Sequence, residues 1–162
     1  KYFKDGRKFG VKIDYLEEKK ALGTAGCLSM LSTDDKKPFI LINGDIITNL
    51  NFKSLLNYHK QQNSIATVVV KNETFQIPFG VVKITNKKIT NIDEKPIQNF
   101  HINAGIYVLS PNFLKFIKND TIDMPDLLKL VIKSKEIVAS YPLKEDWIDI
   151  GEIHQFNKLQ KK

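Results

Sequence analysis

Two acids stand next to glycines at the ends of short apolar stretches far apart in the chain. Asp45 closes Phe39-Ile40-Leu41-Ile42-Asn43-Gly44-Asp45, where an apolar run delivers a carboxylate just past its end. In open α/β sheets that edge is where ligands bind, and Gly44 would let backbone approach a ligand closely. Asp149 ends Trp147-Ile148-Asp149 in the same way, ahead of Ile150-Gly151. Two carboxylates so placed can share one hard cation. Mg²⁺ suits them, because it is commonly held by one or two carboxylates plus waters and substrate phosphates. The residue types alone also fit plainer roles: Asn-Gly-Asp is an ordinary turn composition, and Asp149 can cap a helix beginning at Glu152.

Three further segments could serve a phosphorylated ligand. Leu22-Gly23-Thr24-Ala25-Gly26 is a small-residue turn opening a helix, and a helix N-terminus favours an anion or a nucleobase edge. It is neither a P-loop nor a dinucleotide fingerprint, so it reads equally as a tight connection. In Asp93-Glu94-Lys95-Pro96, Glu94 can accept hydrogen bonds from sugar hydroxyls and Lys95 offers a point charge to a phosphate; an exposed acid–base turn has the same composition. Asn103-Ala104-Gly105 begins a strand with polar and small residues, which suits close passage of a ligand.

The elements that would carry these residues follow from periodicity. Residues 11–16 alternate as a half-buried strand does. Residues 25–31 read as a short helix with Thr24 as its N-cap. The continuous apolar run at Phe39–Ile42 predicts a central parallel strand covered on both faces. Asn51 caps a helix from Phe52 to about Gln62, and residues 65–70 form the next buried strand. Residues 80–85 and 88–92 pair as a hairpin around Asn86-Lys87. A strand over 102–109 precedes a helix with Pro111 in its first turn. A second helix follows Pro125, then a strand at 137–139 and a terminal helix over 152–162. Strands alternating with helices predict an α/β class: a Rossmann-like three-layer domain with a mostly parallel central sheet plus a small β-hairpin, as one domain over 1–162.

Bulk properties narrow the function. The 162 residues are 42% hydrophobic and 27% charged, a globular composition. No apolar run reaches the ~18 residues of a membrane span, and residues 1–10 lack a secretory signal's apolar stretch. A single cysteine, Cys27, forbids an internal disulfide and suits a reducing cytoplasmic compartment. The net charge of +7 is spread over scattered lysines interleaved with acids, with one arginine, Arg7. That is a poor nucleic-acid surface, since Arg is the main base and phosphate reader.

Taken in order, Leu22-Gly23-Thr24-Ala25-Gly26, Asn43-Gly44-Asp45, Phe79-Gly80-Val81-Val82, Asp93-Glu94-Lys95-Pro96, Asn103-Ala104-Gly105-Ile106-Tyr107 and Trp147-Ile148-Asp149-Ile150-Gly151 resemble the sugar-phosphate nucleotidylyltransferase family, over about residues 9–162. The first motif is most similar to the mannose-1-phosphate guanylyltransferase branch. The resemblance implies attack of a sugar 1-phosphate oxygen on the α-phosphate of a nucleoside triphosphate, GTP favoured, releasing pyrophosphate. By position, Asp45 and Asp149 would ligate Mg²⁺. Leu22, Gly23 and Thr24 would line the base, and Gly44 would bind substrate through its closely approaching backbone. Gly80, Glu94, Asn103 and Gly105 would line the sugar, and Lys95 would hold the sugar phosphate. The implied partners are the nucleoside triphosphate and the sugar 1-phosphate, with a homo-oligomer allowed and neither nucleic acid nor membrane.

The pattern departs from the family at the start. A strand and a glycine-rich loop bearing Arg, followed by a Pro-Lys-Pro segment, hold the triphosphate in the family, and nothing in Lys1 to Lys20 resembles them. The expectation is an N-terminally truncated domain that turns over poorly by itself. Two rivals are a non-catalytic NDP-sugar-binding regulator, which the intact Asp45, Lys95 and Asp149 argue against, and a metal-dependent glycosyltransferase, whose Asp-x-Asp is missing from Gly44-Asp45-Ile46-Ile47.

Overall fold

The computed structural model describes residues 2–31, 37–118 and 121–151. The chain divides into two compact units, Lys1–Lys37 with Ser110–Glu136, and Pro38–Leu109 with Ile137–Lys162.

The second unit is built on strands β1 (Phe39–Ile42), β2 (Ile46–Thr48), β3 (Ala66–Gln76), β4 (Gly80–Thr85), β5 (Lys88–Glu94), β6 (Ile97–Leu109), β7 (Val138–Pro142) and β8 (Trp147–Asp149), with helix α1 (Phe52–Gln61) between β2 and β3. Four strands form the main sheet in the order β1-β6-β3-β7. β6 runs antiparallel to both β1 and β3, while β3 and β7 are parallel. β1, β3 and β7 thus share a direction, as an α/β chain with helical crossovers requires. Because β6 is inserted between β1 and β3, the only parallel neighbours described are β3 and β7. The apolar Phe39–Ile42 run is accordingly an edge strand of this sheet and antiparallel to its neighbour, not a central parallel strand.

Alternate residues of β6 and β3 fill the core, which contains Leu50, Leu55, Val69, Ala104, Ile106, Val108 and Leu143, with Ile40, Ile46, Tyr141 and Trp147 packed against it. α1 follows its expected bounds because the Asn51 carboxamide accepts the Ser54 N–H at 3.0 Å, a side-chain N-cap. Its buried face carries Leu55 and His59. Fully burying a leucine such as Leu55 is worth roughly 2 kcal/mol. His59 Nδ1 lies 2.8 Å from Thr67 Oγ1, and Ser64 Oγ lies 3.0 Å from the same oxygen. This buried polar trio ties the helix to β3. Burial lowers the His59 pKa below its ordinary 6.5.

β3 and β6 run further than their apolar signals reach. Beyond Val70, pairs from Lys71↔Ile102 to Gln76↔Ile97 form a two-stranded ribbon that is mostly exposed. A ribbon wet on both faces leaves no alternating pattern to read. The β4–β5 hairpin turns at Asn86 and Lys87, with φ of 50° and 64°. Two left-handed central residues match the twist of a tight hairpin.

In the first unit, helix α2 (Met124–Lys133) carries Pro125 in its first turn and buries Met124, Leu127, Leu128 and Val131. The helices expected after Thr24 and at Pro111 form as 3₁₀ helices over Gly26–Met30 and Pro111–Phe116. The strand expected at 11–16 does not form. Val11, Tyr15 and Leu16 are exposed, and no described strand pairs with them. Thr24 does not cap the helix after it, whose N-cap is Ala25 without a side-chain bond. The helix expected at 152–162 lies outside the described residues. No described helix is long and apolar enough to cross a membrane.

Candidate active site

The two aspartates are brought together by a short antiparallel ribbon. β2 pairs with β8 in the register Ile46↔Asp149, Ile47↔Ile148 and Thr48↔Trp147, and the Ile150 N–H donates to the Asp45 carbonyl at 2.9 Å. A Cβ placed on Gly151 would lie 3.0 Å from Asp149 Oδ1 and 3.0 Å from Asp45 Oδ2. Both carboxylates therefore border the space that the missing side chain leaves free. Asp149 Oδ1 accepts the Gly151 N–H at 2.9 Å, while the Asp45 carboxylate has no hydrogen-bond or ion-pair partner among the described residues. Asp45 is exposed and Asp149 half-buried. Two neighbouring carboxylates with spare lone pairs beside a glycine fit a hard divalent cation that completes its shell with water and phosphate oxygens. No third His, Cys, Asp or Glu joins them among the described residues. Gly44 meets nothing within 4 Å of a built Cβ, so its open side faces free space.

A bulge in β6 anchors both segments. Between Tyr107, paired with Val68, and Asn103, paired with Val70, β6 spends two more residues than β3. The excess is absorbed at Gly105, whose φ is 69°. Bulges of this kind re-aim side chains beside sites. Here the Gly105 carbonyl accepts the Asn43 N–H at 2.9 Å, and the Ala104 carbonyl accepts the Trp147 indole N–H at 2.9 Å. Asn43 stands two residues before Asp45 and Trp147 two before Asp149. The bulge also folds Asn103 back, so that its Oδ1 accepts the Gly105 N–H at 3.0 Å and its Nδ2 donates to the Tyr107 hydroxyl at 2.7 Å. Those two bonds fix the amide's orientation and leave one N–H and one lone pair for a ligand. Burial pushes the Tyr107 phenol up, with the Asn103 bond opposing, so it stays neutral near pH 7. The Lys71 ammonium, ion-paired with Glu73, sits 5.1 Å from the Trp147 ring centroid.

Gly80 pairs with Glu94 across the hairpin, and a Cβ at Gly80 would stand 3.0 Å from Glu94 Oε2. Gly80 thus makes room for that exposed carboxylate. Lys95 follows with φ 46°, a left-handed non-glycine conformation, and its N–H donates to the Phe79 carbonyl at 3.3 Å. Sparsely populated backbone of this type gathers at functional sites.

In the first unit, Gly23 has φ 80° and its built Cβ would meet the Ile122 carbonyl at 2.7 Å, so glycine is required there by packing. The Thr24 N–H donates to Asp123 Oδ1 at 2.9 Å, the Thr24 hydroxyl lies 3.2 Å from the same oxygen, and the Met124 N–H donates to Thr24 Oγ1 at 2.9 Å. Thr24 thereby caps α2, a helix a hundred residues away. Asn43, Tyr107, Trp147 and Asp123 were not singled out from sequence. Asn43, Tyr107 and Trp147 lie inside motifs already flagged, but nothing in the sequence around Asp123 marks its bond to Thr24.

Comparison with known proteins assigns the chain to a family. The nucleotidyl transferase family profile matches residues 1–162, and the chain belongs to that family. It is 31% identical over 156 residues to a mannose-1-phosphate guanyltransferase of Yarrowia lipolytica, covering 92% of this chain and 43% of that protein. It is 32% identical over 158 residues to the mannose-1-phosphate guanylyltransferase catalytic subunit beta of Danio rerio, covering 93% and 44%. The chain therefore spans less than half the length of these relatives. Among solved structures, a glucose-1-phosphate thymidylyltransferase-like protein from Bacillus anthracis in complex with sucrose superposes with a TM-score of 0.71 at 24% identity, over 97% of this chain and 67% of that one. HddC from Yersinia pseudotuberculosis complexed with GMP-PN gives 0.67 at 22%, over 93% and 68%. These likenesses show the α/β nucleotidyltransferase fold.

Proposed function

We propose that the protein serves nucleotidyl transfer from a nucleoside triphosphate, GTP favoured, to a sugar 1-phosphate. A phosphate oxygen of the sugar 1-phosphate forms a bond to the α-phosphorus, the bond to the bridging oxygen breaks, and pyrophosphate leaves with that oxygen. The observation that carries this reading is the pair Asp45 and Asp149 bordering one space at Gly151. The chain's family membership and its relatives' names support it.

Each residue has a physical task. The reacting groups are both anionic, so the barrier is lowered by neutralising charge and holding the groups in line. Asp45 and Asp149 would hold Mg²⁺, which would supply positive charge to neutralise the reacting phosphates. Lys95 offers a second positive charge to the sugar phosphate. Glu94, given room by Gly80, accepts from sugar hydroxyls. Asn103, its amide oriented by Gly105 and Tyr107, offers one donor and one acceptor to the same sugar. Gly44 leaves the approach to Asp45 open. Leu22, Gly23 and Thr24 receive the base. The reaction needs no covalent enzyme intermediate. The thiol of Cys27, its pKa raised chiefly by burial, has no part in it and fits a reducing, cytoplasmic setting.

Pyrophosphate release from GTP and mannose 1-phosphate, measured on the chain within a protein that carries the family's glycine-rich triphosphate loop, tests the reading. Asp45→Ala and Asp149→Ala should each lower Mg²⁺-dependent turnover by about a hundredfold or more while leaving the unfolding transition in place. Near-normal rates in both variants would remove the metal assignment.

A further inference from the structure

The Gly23 loop is held by a reciprocal clasp. Asp123 is the N-cap residue of α2, yet its carboxylate makes no cap bond within its own helix. It turns instead to Thr24, accepting the backbone N–H at 2.9 Å and facing the hydroxyl at 3.2 Å. The Thr24 hydroxyl returns a cap by accepting the Met124 N–H, one of the donors a helix start leaves unpaired. Two backbone bonds close the frame, Ile122 N–H to the Leu22 carbonyl at 2.8 Å and Ala25 N–H to the Ile122 carbonyl at 3.0 Å. The Thr24 and Ala25 N–H groups are thereby used up. The Gly23 N–H, between them and Leu22, makes no hydrogen bond among the described residues.

We propose that Asp123 is a positioning residue for nucleobase recognition, acting through Thr24 to fix the Gly23 peptide so that its N–H is presented to an acceptor on the base edge. The proposal rests on the reading that this loop receives the base. The glycine at 23 lets the chain take φ 80° against the Ile122 carbonyl. The clasp then removes the freedom that glycine would otherwise keep. A preformed donor binds more tightly and discriminates more sharply than one that must be ordered on binding.

The test is equilibrium binding of GTP and ATP, each with Mg²⁺, to the wild-type protein and to Asp123→Ala, Thr24→Val and Thr24→Ser, with thermal unfolding of each. Wild type should prefer GTP. Asp123→Ala and Thr24→Val should each shrink that preference by roughly fivefold, about the worth of one hydrogen bond, and the double variant should be no worse than either. Thr24→Ser keeps the hydroxyl and should keep the preference. Variants that unfold earlier but preserve the GTP-to-ATP ratio would show a merely structural clasp and overturn the proposal. A wild-type protein with no preference between the two would instead overturn the base-loop reading beneath it.

Discussion

Asn43 lies flat against Gly105. A Cβ on Gly105 would stand 2.8 Å from the Asn43 amide nitrogen and 3.1 Å from its Cγ, while the Gly105 carbonyl accepts the Asn43 N–H at 2.9 Å. The strand that carries the proposed sugar ligand Asn103 and the turn that carries the proposed metal ligand Asp45 are therefore joined at one residue that must be glycine. Gly105→Ala meets both the collision and a φ of 69°. Left-handed backbone alone costs an alanine roughly 1–2 kcal/mol. We expect a stability loss of about 1–3 kcal/mol in urea unfolding, together with weakened Mg²⁺ activation. An unchanged urea midpoint would show that the bulge relaxes freely and is not the anchor described.

Trp147 makes the second tether. Its ring packs on the core and its indole N–H bonds to the carbonyl of fully buried Ala104. Trp147→Phe keeps an aromatic ring but strips the bond from a buried acceptor, which costs roughly 1–3 kcal/mol. Chemical denaturation of the variant should show that loss. A midpoint equal to wild type would mean that water or relaxation replaces the indole.

What could be read ahead of the structure divides along a physical line. The apolar pattern located α1 and the cores of β3 and β6, because burial imposes it, whereas the mostly exposed β4–β5 hairpin was legible through the turn residues Asn86 and Lys87. The pattern did not show that β6 lies between β1 and β3, since direction and neighbour order leave no periodic trace. It also misread residues 11–16, whose alternation is real but whose apolar members, Ile13 apart, stay exposed. The acids Asp45 and Asp149 were legible because each ends an apolar stretch beside a glycine. That they would share one cation was expected, but the β2–β8 register that brings them together was not legible. Thr24 was legible as a capping residue, but the helix it caps begins at Met124.

Acidification should weaken the fold through His59. Burial holds its folded pKa below 6.5, while the unfolded chain titrates at the ordinary value. The unfolded state therefore binds the extra proton first as pH falls, so stability declines below about 6.5 and levels off once pH passes the folded pKa. Above that window both states are neutral and the contribution is constant. Thermal unfolding followed between pH 7.5 and 5 should show this slope, and His59→Gln should flatten part of it. Equal slopes in the two proteins would mean that other groups carry the acid sensitivity.

Gly151 separates the metal from the fold. Its φ is not in the left-handed region, so alanine is tolerated by the backbone. The atoms that an added methyl would meet are the tips of two flexible carboxylates, Asp45 Oδ2 and Asp149 Oδ1, each 3.0 Å from the built Cβ. Asp45 is exposed and can swing away at little cost, and half-buried Asp149 has only the bond from the Gly151 N–H to give up, so stability should change by no more than about 0.5 kcal/mol. The same swing takes both oxygens off the space they share. Mg²⁺ tolerates little departure from octahedral geometry, so its affinity should fall several-fold while the urea midpoint stays where it was. Titration of Mg²⁺ into wild type and Gly151→Ala, read by calorimetry, measures the difference. Equal affinities would place the cation elsewhere, and a large loss of stability with them would show that Gly151 serves the β2–β8 ribbon rather than the site.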